Sequence, residues 1–248
     1  MLKLITTLTV FLFGILAKGQ NTETRTITDF NKMEVKNAKV IYTESNHSSL
    51  TIASEYNDTP ETIHTEVVNG TLKIKGINAG KATVVYVTGK AADFKLSNKA
   101  QCTATYLITT NVTLTLDSGS VFNGSLANAN TTIVGRKNSY FKGLVVTDQL
   151  TANFSANARC ILSGKANVAA INAKSNVLCH ARNFASDDLQ VSADGTSKVT
   201  VYGGKNMGIA VIEDAKVTYN GTPNELRLNE NATVHKKAKK EQLVTYNY

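Results

Sequence analysis

The sequence predicts an all-β fold, a single-strand parallel β-helix or β-solenoid. Three observations favour it: apolar-x-apolar pairs recur at regular intervals, small polar residues recur between them, and the composition suits strands. Asn, Thr, Ala and Val are plentiful, whereas the 248 residues include only two prolines and no tryptophan. Such a composition is typical of strands and turns rather than of helices or disordered segments.

The first segment, residues 1–19, has the features of a secretory signal peptide. Lys3 precedes an apolar run from Leu8 to Leu16, and Ala17-Lys18-Gly19 supplies a small-x-small cleavage pattern. The run is too short to span a bilayer comfortably. We therefore expect an exported chain, periplasmic, outer-surface or secreted, without a transmembrane segment. Cleavage removes two lysines and no acid, so the formal charge of +8 becomes +6.

Residues 24–92 are expected to be β structure of a less regular kind. Short apolar segments predict strands in KMEVKN, KVIYTE, SLTIAS and ATVVYVTG. Two further strands in IHTEVVNGTLKIKG flank Asn69-Gly70, a dipeptide that favours the tight turn of a β-hairpin. No linker-like composition separates this part from the rest, so we expect it to be continuous with the repeats and to cap one end of them.

Residues 93–235 contain eight repeats of about 17–20 residues. Of the 32 residues at the first, third, seventh and ninth repeat positions, 28 are apolar, as expected if stacked coils share one continuous core. The exceptions are Ser120, Gly135, Ser139 and Ser197. The repeats begin at Phe94, Leu114, Ile133, Ala152, Ile171, Val191, Ile209 and Leu226.

Two further columns of residues keep the same register. The sixth position holds mostly small polar residues, which tolerate left-handed backbone geometry and can bond to one another when stacked. Glycines recur shortly after the second apolar pair, and we expect them to mark the next corner of the coil. The sixth-position residues are Lys99, Gly119, Asn138, Asn157, Asn176, Thr196, Asp214 and Asn231. The glycines are Gly124, Gly143, Gly164, Gly203 and Gly221.

These segments resemble a known family, the "putative autotransporter adhesin head domain" or GIN domain. TITDFNKMEVKNAKVIY is similar to its entry segment, and the hairpin TEVVNGTLKIKG is similar too. The coils LTLDSGSVFNG and LQVSADGTSKVTVYGG resemble the family best, and VTYNGTPNEL resembles a late Tyr-x-Gly-x-Pro turn. The resemblance covers about residues 25–235. It implies a right-handed single-strand β-solenoid exported by bacteria, and it brings no catalytic residues.

The cysteines Cys102, Cys160 and Cys179 fall at the ninth position, where we expect small buried hydrophobes. Cys160 and Cys179 lie one coil apart, and export leaves a disulfide between them open. Side chains stacked in register point in parallel, however, which is poor geometry for a disulfide torsion. His180 follows Cys179 on one strand, so the two side chains point to opposite faces and cannot form a nucleophile and base.

No catalytic residue, cofactor or metal site is predicted. The other histidines lack metal-like spacing, and the chain has no phosphate loop or dinucleotide fingerprint. One group of acids is a weak candidate for a cation site, because its members fall at the fourth to sixth positions of the last three coils. This acidic corner consists of Asp194, Glu213, Asp214 and Glu230. A solvated corner is the simpler interpretation.

The basic residues are scattered through the sequence, except in HKKAKK at 235–240, and residues 236–248 are expected to form a basic tail. Nucleic acid is not an expected partner of an exported chain. A loose preference for acidic polymers or membrane surfaces stays open.

The leading hypothesis is an exported, non-enzymatic β-solenoid that acts as an adhesin-like or envelope-associated module. Its Thr-, Asn- and Ser-rich outer strands would make the contacts. The partner is not identified by the sequence, and a cell-surface glycan or an envelope component is the class we consider. Two alternatives stay open: a lyase or glycosidase that uses the acidic corner, and a structural protein that self-associates through exposed strand edges.

Overall fold

The computed structural model of the protein describes residues 20–55, 62–77, 83–229 and 234–236. The predicted signal peptide, Glu230, Asn231 and the chain beyond residue 236 lie outside these ranges. Within them the chain forms nineteen β-strands and no α-helix. The strands are β1 (Gln20–Arg25), β2 (Lys32–Lys36), β3 (Lys39–Glu44), β4 (Ser49–Glu55), β5 (Ile63–Val68), β6 (Thr71–Gly76), β7 (Val84–Gly89), β8 (Asp93–Ser97), β9 (Gln101–Ile108), β10 (Asn111–Leu116), β11 (Val121–Gly135), β12 (Tyr140–Ser155), β13 (Arg159–Lys174), β14 (Leu178–Asp194), β15 (Lys198–Tyr202), β16 (Asn206–Val211), β17 (Lys216–Asn220), β18 (Glu225–Leu228) and β19 (Val234–Lys236).

The strands stack as coils of one parallel β-solenoid of about seven turns. Each of the long strands β11 to β14 lines two sides of the rod, and it pairs along both parts with its long neighbours. This pairing confirms the predicted fold class and seven of the eight repeat starts. The residues that pair in succession are Phe94, Leu114, Ile133, Ala152, Ile171, Val191 and Ile209.

The eighth repeat starts two residues later than predicted. Leu228 pairs with Ile209, whereas Leu226, the predicted start, pairs with Met207. The ninth position is placed as predicted, because Val234 pairs with Val217. The corner of this last coil is therefore shortened by two residues. Both leucines are apolar, so the repeat pattern alone fits either frame.

The N-terminal strands do not stack in the order of the sequence. β2 lies between β6 and β8, and β3 lies between β7 and β9, with parallel pairing on both sides. The hairpin of β5 and β6 turns at Asn69 and Gly70, whose φ angles of 50° and 69° confirm the predicted tight turn. β5 pairs antiparallel with β6, and β4 pairs antiparallel with β7, so these strands cover the outer edge of the first coil.

Aromatic side chains in the core join the N-terminal coil to the repeats. Tyr42 packs edge-on against Phe94 with ring centroids 5.1 Å apart, and Phe94 packs edge-on against Phe122 at 6.3 Å. Phe122 and Phe141 stack at 5.9 Å with their planes 3° apart. Tyr42 is fully buried, and its hydroxyl donates a hydrogen bond of 2.7 Å to the Gly89 carbonyl. Four successive rungs are thereby packed together.

The residues that break the apolar pattern also face the core. Ser120, Ser139 and Ser197 are buried, and the Ser120 hydroxyl donates to the Leu96 carbonyl at 3.1 Å. A Cβ atom at Gly135 would lie 2.6 Å from a phenylalanine ring of the next coil. Small residues at these positions therefore make room for larger neighbours in the adjacent rung.

The sixth-position column lies at a corner, as predicted. At this corner two successive residues have positive φ in each of five coils. The pairs are Asn98-Lys99, Ser118-Gly119, Lys137-Asn138, Ala156-Asn157 and Ser175-Asn176. The next two coils differ, because the left-handed residue there is Gly195 or Glu213 and not Thr196 or Asp214. Along the column, the Asn176 side-chain amide donates to Asn157 Oδ1 at 2.7 Å.

Three of the recurring glycines, which we expect to mark a corner, lie inside strands and not between them. Gly124, Gly143 and Gly164 lie inside β11, β12 and β13. A Cβ atom at Gly143 would approach the Phe141 ring to 2.5 Å, and one at Gly124 would approach a backbone oxygen of the preceding coil to 2.5 Å. These positions are therefore kept free of a side chain by close packing inside the coil. Gly203 and Gly221 do lie between strands.

Candidate functional site

The three cysteines are buried and unoxidised. Cys160 pairs with Cys179 in neighbouring rungs, so the two thiols lie close to one another. Burial raises the pKa of Cys102 to about 12. Burial, followed by the contact with Cys179, raises the pKa of Cys160 well above its ordinary range. Thiols held in the protonated form away from solvent are poor nucleophiles and poor metal ligands, so Cys102 and Cys160 belong to the core. Cys179 is fully buried beside Cys160.

His180 is exposed on the face opposite to the Cys179 side chain, as the strand alternation predicted. Its pairing neighbours are Ile161 and Thr200. A carboxylate that could orient the ring is absent from these neighbours, and a catalytic role for the histidine therefore has no support from its rung.

The acidic corner is only partly visible, because Glu230 lies outside the described residues. Asp194 is engaged, since its Oδ2 lies 3.5 Å from Lys174 Nζ in the preceding rung. Glu213 and Asp214 are exposed on the turn that follows β16. Among the described residues, no three His, Cys, Asp or Glu side chains come close enough to hold a metal ion. A site at this corner stays a prediction.

One outer face of the rod carries cations without any acid. We call it the basic face; it consists of β9, β15, β17 and the first parts of the four long strands, residues 121–128, 140–147, 159–166 and 178–186. No Asp or Glu occurs in these segments. Six exposed Lys and Arg residues do, and none of them makes an ion pair with a described residue. They are Lys142, Arg159, Lys165, Arg182, Lys198 and Lys216.

Three acids of the same coils, Asp148, Asp187 and Asp188, lie at the far corner of the rod, whereas Asp117, Asp194, Glu213 and Asp214 lie at the sixth-position corner. Asp148 accepts a hydrogen bond from the Asn167 amide at 3.0 Å, and Asp187 accepts one from Lys205 Nζ at 2.8 Å. The hydrogen bond to Asp187 raises the pKa of Lys205. Charge is therefore separated across the coil, with paired acids at this corner and unpaired cations on the basic face.

A groove of about 730 Å³ runs along the basic face beside the sixth-position corner. One wall is a row of outward-facing residues that pair from coil to coil, and the other wall is the sixth-position column. Ile161 and His180 lie on the next outward row. The first wall is Tyr140, Arg159, Leu178 and Lys198, and the second is Asn138, Asn157, Asn176 and Thr196.

The second wall has fixed hydrogen-bonding groups. Asn176 donates to Asn157 Oδ1 and accepts from the Thr196 hydroxyl at 3.4 Å. Because one amide proton of Asn176 is used within the column, its second proton is free to donate to a bound molecule. The groove thus combines cationic, amide, hydroxyl and phenol groups with the apolar side chain of Leu178.

Sequence reasoning missed this groove. The basic residues are scattered along the chain, and we did not expect them to gather on one face. The signal was present in the eighth repeat position, where Tyr140, Arg159, Leu178, Lys198 and Lys216 follow one another. A second signal was the lack of acids in the residues that follow each ninth position.

The sequence profile of the family described as "Putative auto-transporter adhesin, head GIN domain" matches residues 29–223. The chain belongs to this family. The matched segment includes every residue that lines the groove, and it confirms the resemblance found in the sequence. No curated protein matches the chain.

Solved structures of similar fold bear names of the same kind. A "putative adhesin" from Parabacteroides merdae ATCC 43184 is 15% identical with a TM-score of 0.78, covering 90% of this chain and 98% of that one. A "putative lipid binding protein" from Parabacteroides distasonis ATCC 8503 is 14% identical with a TM-score of 0.75, covering 90% and 98%. A "putative adhesin" from Bacteroides fragilis NCTC 9343 is 17% identical with a TM-score of 0.60, covering 89% and 95%. At these identities the likeness shows the fold alone.

In the part of the chain that the structure describes, no helix is long and apolar enough to cross a membrane.

Proposed function

We propose that the chain is exported and acts as a non-enzymatic, adhesin-like binding module of the bacterial envelope, with the basic face as its contact surface. The observation that supports this proposal is the sorting of charge: six exposed cations share one face with no acid, while Asp148, Asp187 and Asp188 at the far corner of the same coils are hydrogen-bonded to other residues. A face of one sign attracts and orients acidic material. The family and the predicted signal peptide support export.

Binding is tested with the mature chain, residues 20–248, and isolated cell envelopes. We expect saturable binding that weakens as salt rises, because the contacts are exposed charges. Lys142→Glu with Lys165→Glu should abolish it. Lys32→Glu with Lys95→Glu makes the same charge change on β2 and β8 and should leave most of it. Equal loss in both variants, or no binding by the parent chain, would sink the proposal.

Export is tested separately in the native cell. Fractionation should place the protein outside the cytoplasm, and protease added to whole cells should digest it if it reaches the outer surface. Recovery of the chain with an intact N-terminal segment in the cytoplasm would contradict the proposal.

Self-association is a second candidate, favoured by the C-terminal end of the solenoid. Leu226 and Leu228 on β18 are 36% and 47% exposed, and among the described residues β18 pairs with β16 on one side. An apolar strand at the end of a stack is a template for a second chain. Sedimentation velocity at several concentrations tests this: a concentration-dependent dimer that Leu226→Lys with Leu228→Lys dissolves is expected, and a monomer throughout would refute it.

A further inference from the structure

We propose that the groove on the basic face binds an acidic polysaccharide, a chain whose sugars carry carboxylate or sulfate groups, along the axis of the rod. This inference names the ligand class for the proposed function and rests on it.

The charge of the groove selects an anion. Arg159 and Lys198 are exposed in the wall and make no ion pair with any described residue. Asp194 lies two residues before Thr196 but is paired with Lys174, and Glu213 and Asp214 lie one coil beyond Thr196; none of these three acids lines the groove. Two unpaired cations on one wall therefore create a positive potential that runs along the groove.

The spacing of the cations suits a polymer with regularly placed charges. Arg159 pairs with Leu178, and Leu178 pairs with Lys198, so the cations stand two rungs apart. At the usual distance between strands this is about 10 Å along the rod. A polysaccharide that carries acid groups along its chain presents those of every second sugar at a comparable interval, with one sugar ring between them. Leu178 is placed to contact that ring.

The opposite wall supplies the donors and acceptors that sugar hydroxyls need. The Asn157 and Asn176 amides are oriented by their own hydrogen bond, and Thr196 extends the row by one rung. Tyr140 adds a phenol on the cationic wall. Polar groups held in fixed positions bind hydroxyls at a small entropic cost. Repetition from rung to rung lets successive sugars make similar contacts.

The shape favours a polymer chain over a membrane surface. The groove is concave and lies between two rows, whereas a bilayer surface needs apolar groups that protrude. Three exposed aliphatic side chains of the basic face, Ile108, Leu144 and Val146, do not line the groove, and a fourth, Ile161, does. Anionic lipid is therefore kept as an outcome of the test.

The test measures binding of the mature chain to polygalacturonate, to chondroitin sulfate, to uncharged dextran and to anionic phosphatidylglycerol vesicles by calorimetry. Binding to at least one acidic polymer and none to dextran is expected. Arg159→Ala with Lys198→Ala should weaken binding at least tenfold, and Asn176→Gly should weaken it about threefold, since it removes one hydrogen-bonding group. The matched control is Lys32→Ala with Lys95→Ala, which removes the same charge from another face and should change the affinity less than twofold. Circular dichroism checks that every variant is folded.

The outcomes separate this inference from the proposed function. Envelope binding without binding to any acidic polysaccharide would overturn the inference and leave the proposed function standing. Loss of binding in the control variant equal to that in the groove variant would also overturn it, because net charge would then suffice. Binding to anionic vesicles and not to the polymers would overturn it in favour of lipid. Absence of binding to both envelopes and polymers would overturn both proposals.

Discussion

Gly143 is the position where the packing of the coils can be tested most sharply. A Cβ atom there would lie 2.5 Å from Cζ of Phe141 and 3.0 Å from the Gly124 carbonyl oxygen. Phe141 is fully buried and stacked on Phe122, so its ring cannot move away freely. Overpacking of this kind costs about 1–3 kcal/mol. Gly143→Ala should therefore lower the free energy of unfolding by about that amount.

A double-mutant cycle identifies the clash as the cause. Phe141→Leu removes part of the ring and should cost about 1–2 kcal/mol by itself, from lost apolar contact. In the double variant the new methyl group of residue 143 has more room. The double variant should therefore lose less stability than the sum of the two single losses, by about 1 kcal/mol or more. A coupling of this size is typical of residues in contact.

The assay is urea unfolding of all variants, followed by far-ultraviolet circular dichroism. Gly119→Ala is the control, because a Cβ atom at Gly119 would meet only Lys99 Cγ, at an ordinary contact distance of 3.6 Å. Its positive φ of 74° should cost about 1 kcal/mol without coupling to Phe141→Leu. Additive costs for Gly143→Ala and Phe141→Leu, within about 0.5 kcal/mol, would refute the packing argument.

Three further predictions concern stability. The pKa of Cys102 is raised from 9.0 to about 12, so between these pH values the unfolded state loses its proton first and stability falls as pH rises, by up to about 1.4 kcal/mol per pH unit. In the Cys102→Val variant the urea midpoint should fall less steeply between these pH values than in the parent chain. The same slope in both proteins would contradict this prediction. Asn176→Ala should cost about 1–2 kcal/mol and Asn176→Gly less, because Gly accepts the φ of 64°; equal costs in thermal melts would contradict this. Tyr42→Phe should lower the free energy of unfolding by about 1–3 kcal/mol, because the buried Ala91 N–H, which donates to the Tyr42 hydroxyl at 2.7 Å, loses its acceptor. A urea midpoint equal to that of the parent chain would contradict this.

The architecture of the repeats was predictable because one physical constraint acts at every coil. Each rung buries the same inward positions. The ninth-position residues from Cys102 to Val217 are therefore all buried and pair in one register. The same logic placed the Cys179 thiol inside and His180 outside. Local turn chemistry made the hairpin at Asn69-Gly70 equally predictable.

The parts that the sequence concealed depend on contacts between rungs. Gly143 is required by a ring two residues earlier on its own strand and by the carbonyl of the previous coil, and neither contact has a signature in spacing. The insertion of β2 between β6 and β8 joins segments that are distant in sequence. The groove arises because Tyr140, Arg159 and Lys198 recur in one column, a pattern visible only after the register is known.

The central claim is that the groove on the basic face holds the ligand, and lysine acetylation read by mass spectrometry tests it most directly. The mature chain is labelled with and without saturating polygalacturonate. Lys198 and Lys142 lie in or beside the groove, whereas Lys95 and Lys205 lie on other faces, beside Glu34 and Asp187 respectively. We predict that the polymer slows the labelling of Lys198 most and that of Lys142 next, with Lys95 and Lys205 unchanged. Equal protection of all four, or protection of Lys95 and Lys205 alone, would contradict the claim.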